Sequence, residues 1–332
     1  MQLVRQNEKF GTKWAPSRAL RIASSRSLRI RAGVAVLTAA ALASGCAGGG
    51  GQEPVEPAHG QQQAERAKQQ AAAHAARVAA VKKWGVAKMP LTPPEPPAKK
   101  PEITTRKGFE VSGQKHLPPV YTTVPTKDKV VFLTIDDGAE KDPRFLRMMS
   151  ELKIPYTAFL SDYVIEDDYG YFKKMQARGV GLNNHTLNHK YMPGLSYEQQ
   201  KREICGMQDV IEKRYGKRPE LFRPPYGNYN RDTLKAAKAC GITSVPLWNA
   251  EAFADRMDWR EWDRDLHPGD IILTHFRGKE DWKGTMPDMI RRLLKTVTDK
   301  GYAIARLEDY LPTQSGPAQS GPAESGPGRA AR

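Results

Sequence analysis

The chain is 332 residues long, 39% hydrophobic and 27% charged, with a formal net charge of +15. That length allows one sizeable domain with extensions or two small ones, and the charge would suit a nucleic-acid binder until it is located. Residues 1–45 hold eight Lys/Arg against Glu8 alone, and residues 46–115 hold eleven basic against six acidic groups, so only about +2 remains for residues 116–312. This argues against a nucleic-acid partner and fits a basic stalk beside an anionic envelope.

The leader, residues 1–45, reads as a signal peptide. Arg18, Arg21, Arg26, Arg29 and Arg31 precede the apolar run Ala32–Ala43, which is too short to span a bilayer permanently. It ends in "ASGC", Ala43 to Cys46. That run resembles the lipobox of bacterial lipoproteins, which implies lipidation at Cys46 and a chain anchored on the outer side of the cytoplasmic membrane. A plain cleaved signal would instead release it as a secreted protein. Export also permits a disulfide: Cys205 and Cys240 either pair or stay as two buried thiols.

Residues 46–115 read as a low-complexity linker or stalk. Residues 61–83, rich in Ala, Gln and Lys, favour helix but lack a wide apolar stripe. Residues 90–101, "PLTPPEPPAKKP", should be extended and stiff. The repeated "SGPA" unit in 313–332 cannot build a core and reads as a disordered tail. The folded body is then 116–312.

Within that body the spacing predicts alternating strands and helices. Val130–Ile135 is a near-continuous apolar run, as in a strand covered on both faces. A helix over Pro143–Lys153, a strand over Tyr156–Ser161, a helix over Tyr171–Arg178 and a strand over Val180–Thr186 follow. Tyr197–Tyr215 is a long amphipathic helix stopped by Gly216, "ELFRPPYG" is a strand broken at its proline pair, and Arg231–Cys240 is a helix with Gly241 past its end. "ITSVPLW" and "DIILTHF" are further strands, Met289–Lys300 is the last major helix, and "YAIARL" closes the body. This order predicts an α/β fold with a mainly parallel sheet, open or closed into a barrel, with its chemistry at the C-terminal strand ends.

The polar clusters fall at those ends. Asp136 and Asp137 finish the first strand, His185 the third, with His189 four residues on; "RPPYG" (Arg223–Gly227) ends the next, and His275 ends "DIILTH". Adjacent strand residues point to opposite faces, so the two carboxylates should divide a task rather than share it. Each cluster alone has a blander reading: Asp-Asp-Gly is usually a turn, and a lone His-x-x-x-His usually carries nothing. Together, one Asp and two His with positions left open suit a hydrolytic metal site.

"TIDDG" (Thr134–Gly138), "NHTLNH" (Asn184–His189), "RPPYG" and "ILTH" (Ile272–His275) resemble, in order, the motifs of polysaccharide deacetylases of carbohydrate esterase family 4, the NodB homology domain. The resemblance covers about residues 128–310. It implies a distorted (β/α) barrel and a divalent metal, Zn2+ or else Co2+. It assigns Asp136 as general base, Asp137, His185 and His189 as metal ligands, and Arg223 as the partner that keeps Asp136 ionised. The backbone N–H of Tyr226 would hold the oxyanion, and His275 would be the general acid. Thr186 would orient the histidine loop, and Pro225 would contribute to substrate binding.

The family's fourth motif, D-x-x-D-W, is matched by letters in "DRMDW", Asp255–Trp259. On that reading Asp258 tunes His275 and Trp259 forms a groove wall, with Trp248 as the alternative wall. The resemblance implies an N-deacetylase, and a lipid-anchored stalk makes peptidoglycan N-acetylglucosamine the leading substrate. Chitooligosaccharides, an exopolysaccharide or acetylxylan are alternatives of the same chemistry. A non-catalytic, carbohydrate-binding wall lipoprotein is the alternative of another class. A monomer is expected.

Overall fold

The computed structural model describes residues 58–312. The expected signal peptide, Cys46 and the tail 313–332 lie outside the described residues. In chain order the elements are α1 (Ala58–Lys83), β1 (Val120–Tyr121), β2 (Val130–Asp137), α2 (Pro143–Leu152), β3 (Thr157–Leu160), α3 (Asp162–Ile165), α4 (Tyr169–Gln176) and β4 (Gly181–Asn184). Then come α5 (Tyr197–Tyr215), α6 (Arg231–Ala239), β5 (Val245–Pro246), β6 (Ala250–Ala252), β7 (Met257–Trp259), β8 (Ile271–His275), α7 (Met286–Asp299) and β9 (Ala303–Ala305).

β2 is the hub. β8 pairs with Phe132–Asp136 along one edge; on the other edge β9 takes Val130–Phe132 and β3 takes Thr134–Asp137, all parallel. The sheet continues from β3 to β4 on one side and from β8 to β6 on the other, with β7 antiparallel at its border. Single bridges from Asn184 to Phe222 and from Leu221 to Ser244 carry the circuit from β4 to β5, which runs on into β6. The result is a distorted α/β barrel, the fold class that the alternation and the resemblance predict.

Alternation along β2 sorts its side chains. Val131, Leu133 and Ile135 pack outward against helix residues such as Phe145, Met149 and Leu293. Val130 and Phe132 face the other way, against Tyr310 and Ile271. Thr134 and Asp136 continue that inner face, because one nitrogen of Arg223 reaches both. A single strand therefore builds the outer core with one face and the site with the other.

The expected boundary at residue 116 moves. Ala80 and Val86 are buried in the main core, and the Trp84 indole donates to Glu151 of α2 at 2.6 Å. Leu91 bridges to Ala303 of β9, and Arg106 bonds Thr122, Asn249 and Glu261. The described residues 58–312 all fall in one compact unit. The segment 84–115 is poor in regular structure, as its prolines dictate, but its few apolar residues are spent on the body. Cys205 of α5 and Cys240 at the end of α6 form a disulfide, one of the two alternatives the sequence left open.

Candidate active site

Asp136 and Asp137 end β2, both almost wholly buried. The expectation that they face apart does not hold. Asp137 sits at φ +78°, in the left-handed region, and this turns its carboxylate back toward the same atom that Asp136 approaches. His185 Nε2 is 3.7 Å from Asp136 Oδ2 and 3.5 Å from Asp137 Oδ1. The labour is still divided: Asp136 Oδ1 accepts from Arg223 at 2.8 Å, while Asp137 Oδ1 faces His189 Nε2 at 3.3 Å.

Arg223 is fully buried and crosses the barrel interior. Its Nη1 donates to Thr134 Oγ1 and Asp136 Oδ1, and its Nε donates to the Pro246 carbonyl. The guanidinium lies 4.4 Å from the Phe159 ring centroid and 5.7 Å from that of Trp248. Burial pulls the Arg223 pKa down, and Asp136 opposes the shift. The guanidinium thus supplies a fixed positive charge to one carboxylate.

His185 lies at the end of β4, and its Nδ1 is 2.7 Å from the Arg223 carbonyl. A carbonyl only accepts, so Nδ1 carries a proton and Nε2 is the atom turned to the site. The turn to His189 uses left-handed residues at Thr186 and His189. Thr186 Oγ1 accepts from the His189 N–H at 3.0 Å, and Asn184 Oδ1 accepts from the Thr186 N–H at 2.9 Å. Thr186 thus holds the histidine turn, as its place in the motif implies. Tyr226 is a fourth left-handed residue, in the turn after buried Pro225, with its ring 4.8 Å from that of His189. Among the described residues only Lys153 and Arg264 share this conformation without being glycine. The backbone strain is concentrated in this cluster.

The electrostatics favour a cation. Burial pulls the His189 pKa down to about 4, with His185 adding to the fall, so the ring is neutral at pH 7. Burial would raise the Asp137 carboxyl, but the His185 ring and the fields of His275, His189 and Arg277 outweigh it and hold the group far below the usual carboxylate range. Arg277 contacts Asp137 Oδ2 at 2.8 Å, which leaves Oδ1 buried with no hydrogen bond. One donor atom each from Asp137, His185 and His189 lies within 4.8 Å of the others. A buried, unsatisfied carboxylate oxygen beside two imidazole nitrogens fits a divalent metal of the zinc type with positions left open.

His275 ends β8 in register with Asp136. The carboxylate on its ring corrects the fourth-motif reading. It is Glu251 of β6, with Oε1 3.4 Å from His275 Nδ1. Asp258 pairs across the β6–β7 hairpin with Glu251, but its own carboxylate bonds Arg256 at 3.1 Å. Trp259 packs against the main core and under Lys300. Trp248 floors the "RPPYG" turn: a Cβ on Gly227 would come within 2.9 Å of its ring. Burial raises the Glu251 carboxyl, His275 opposing. Sequence reasoning missed Glu251 and Arg277. The available signals were a lone acid inside the apolar "NAEAF" run and a cation two residues past His275.

Comparison with known proteins bears on this arrangement. A family profile described as "Polysaccharide deacetylase" matches residues 123–245. An uncharacterized protein of Streptomyces coelicolor is 42% identical over 198 residues, 59% of this chain and 79% of that protein. A Bacillus cereus peptidoglycan-N-acetylglucosamine deacetylase is 28% identical over 212 residues, covering 60% of this chain and 97% of its own length. The crystal structure of a peptidoglycan N-acetylglucosamine deacetylase superposes with a TM-score of 0.50 at 21% identity, over 57% of this chain and 91% of the other, a likeness of fold.

Proposed function

Because this chain belongs to the polysaccharide deacetylase family, we propose that it removes N-acetyl groups from peptidoglycan N-acetylglucosamine with Zn2+ held by Asp137, His185 and His189. The observation that carries the reading is the split between the adjacent carboxylates: Asp136 is bonded to Arg223, while Asp137 faces two histidines. When bound, the cation would polarise the acetyl carbonyl and acidify water.

The chain's own residues supply the rest. Asp136, oriented by the Arg223 bond at 2.8 Å, takes a proton from the attacking water as the water oxygen bonds to the acetyl carbon. The backbone N–H of Tyr226 stabilises the developing oxyanion. His275, steadied by Glu251 at 3.4 Å, donates its proton to the sugar nitrogen as the C–N bond breaks. An amine leaves poorly unless protonated, so this second proton carrier is required. Acetate and a glucosamine residue result.

The substrate reading draws on the relatives, named as peptidoglycan deacetylases acting on N-acetylglucosamine or N-acetylmuramic acid, and in one case as a chitooligosaccharide deacetylase. A lipid on Cys46 would hold the enzyme on the outer side of the cytoplasmic membrane, within reach of the wall; the run "ASGC" and the Cys205–Cys240 disulfide support export. The test is acetate release by the chain from residue 47 onward, with zinc or cobalt, from peptidoglycan, chitooligomers and acetylxylan side by side. Release is expected, fastest from peptidoglycan. No release from any of them with metal bound would overturn the reading.

A further inference from the structure

α5 lies behind the metal-ligating turn and touches it at several points. The Asn184 side chain donates to the Ile204 carbonyl at 2.8 Å and to Gln208 Oε1 at 3.0 Å. The Leu187 N–H donates to the Glu203 carbonyl at 3.1 Å. The Glu203 carboxylate, 6% exposed, accepts from the Asn188 N–H at 2.8 Å and from its side-chain amide at 2.9 Å. These contacts flank both histidines, at the positions before His185 and before His189.

The same helix contains a glycine in mid-run, Gly206, where helix propensity alone would disfavour one. A Cβ there would stand 2.5 Å from Leu187 Cδ1 and 3.2 Å from Cγ. Leu187, between the two histidines, seats against the bare helix backbone. The turn holds Thr186 and His189 in left-handed conformations without glycine, which persist only where surrounding contacts over-determine them.

We propose that Glu203 and Gly206 are positioning residues for the metal site: they fix the turn that presents His185 and His189 without touching the cation. This rests on the reading of Asp137, His185 and His189 as zinc ligands. Glu203→Gln puts an amide donor against the Asn188 donors. Gly206→Ala makes the better helix former but displaces Leu187.

The test is zinc affinity of the exported chain, by competition with a chelating dye, beside thermal melting of the metal-free protein. Both variants should lose about 10- to 100-fold in zinc affinity, the usual range for groups that orient metal ligands. Adding Leu187→Ala to Gly206→Ala should restore part of the loss. A merely structural role would lower melting temperature and leave zinc affinity at the native value; that result in both variants would sink this inference alone. If Glu203→Gln fails to fold, Gly206→Ala decides by itself. A native protein that takes up no zinc would sink the functional reading as well.

Discussion

Arg223 donates to Asp136 at 2.8 Å, with neither side chain more than 3% exposed. The pair is out of water, so removing one member strands the other. Arg223→Met should cost about 3–5 kcal/mol of stability, read by urea denaturation, and should lower turnover. Asp136→Asn keeps the shape and removes the proposed base. It should cost about 10^2- to 10^4-fold in kcat with zinc still bound one to one. Loss of zinc in Asp136→Asn would show that both carboxylates are ligands.

The metal should come off with acid. Although burial would lower the His185 pKa, Asp136 and then Asp137 outweigh it and raise the value. His185 therefore holds a proton that zinc must displace, whereas His189, at about 4, does not compete above about pH 5. Apparent zinc affinity should climb with pH and keep climbing above the ordinary histidine value of about 6.5, with proton release seen by calorimetry in two buffers. Affinity flat across that value would contradict this. Asp137→Ala and His189→Ala should bind little zinc, and chelators should abolish turnover in the native enzyme.

Glu251→Gln separates activity from stability. The folded state holds the Glu251 proton longer than the unfolded chain does, since burial raises its pKa. Ionising it therefore costs stability as the pH passes the unfolded carboxylate range. The variant should match the native protein in acid and equal or exceed its stability above about pH 5. Its turnover should fall about tenfold or more, because an amide replaces the carboxyl group beside His275 Nδ1. Unchanged kcat would remove Glu251 from the mechanism, and Asp258→Asn should change kcat far less.

The disulfide encloses the "RPPYG" turn. Its cysteines are 35 residues apart, and closing such a loop restricts the unfolded chain by roughly 3–4 kcal/mol. Cys205→Ser with Cys240→Ala should melt lower by the corresponding amount, and reductant should have no further effect on it. Equal melting curves would place the stabilisation elsewhere.

A chain begun at residue 116 should be a poorer protein than one begun at 58. It lacks Val86, Ala80 and the Trp84–Glu151 bond. The loss is about 3 kcal/mol or more, from buried apolar surface alone. Activity per folded molecule should survive, because Leu91 joins Ala303, which pairs with Val130 at the opposite end of β2 from Asp136. Equal stability of the two chains would return 84–115 to the role of a plain linker.

Most of the architecture was legible because hydrophobic period and stop signals agree: the helices at Pro143 and Tyr197 begin where they were expected. The last helix starts three residues early, at Met286, through a capping box of Thr285 with Asp288 that the sequence "TMPD" already contained. The strand expected across "ELFRPPYG" survives only as single bridges at Leu221 and Phe222, since the prolines offer no N–H to a ladder. Asp136, Asp137, His185 and His275 could be picked out because they fall at the ends of β2, β4 and β8. Glu251, Glu203 and Gly206 could not, because their meaning depends on which element lies beside which. Asp258 misled for the same reason: its letters fit a motif, but Glu251, directly across the hairpin, is the acid beside His275.

The left-handed backbones at Asp137, Thr186, His189 and Tyr226 set selection for heat resistance against selection for turnover. Glycine relieves such a backbone at once, so a library screened only for survival at high temperature would find ready gains at these positions. At two of them the same exchange deletes a proposed metal ligand, and at Thr186 it deletes the hydroxyl that holds the His189 N–H. Thermally improved descendants should therefore emerge first as inert ones, and a screen that keeps both properties must seek its gains away from this rim.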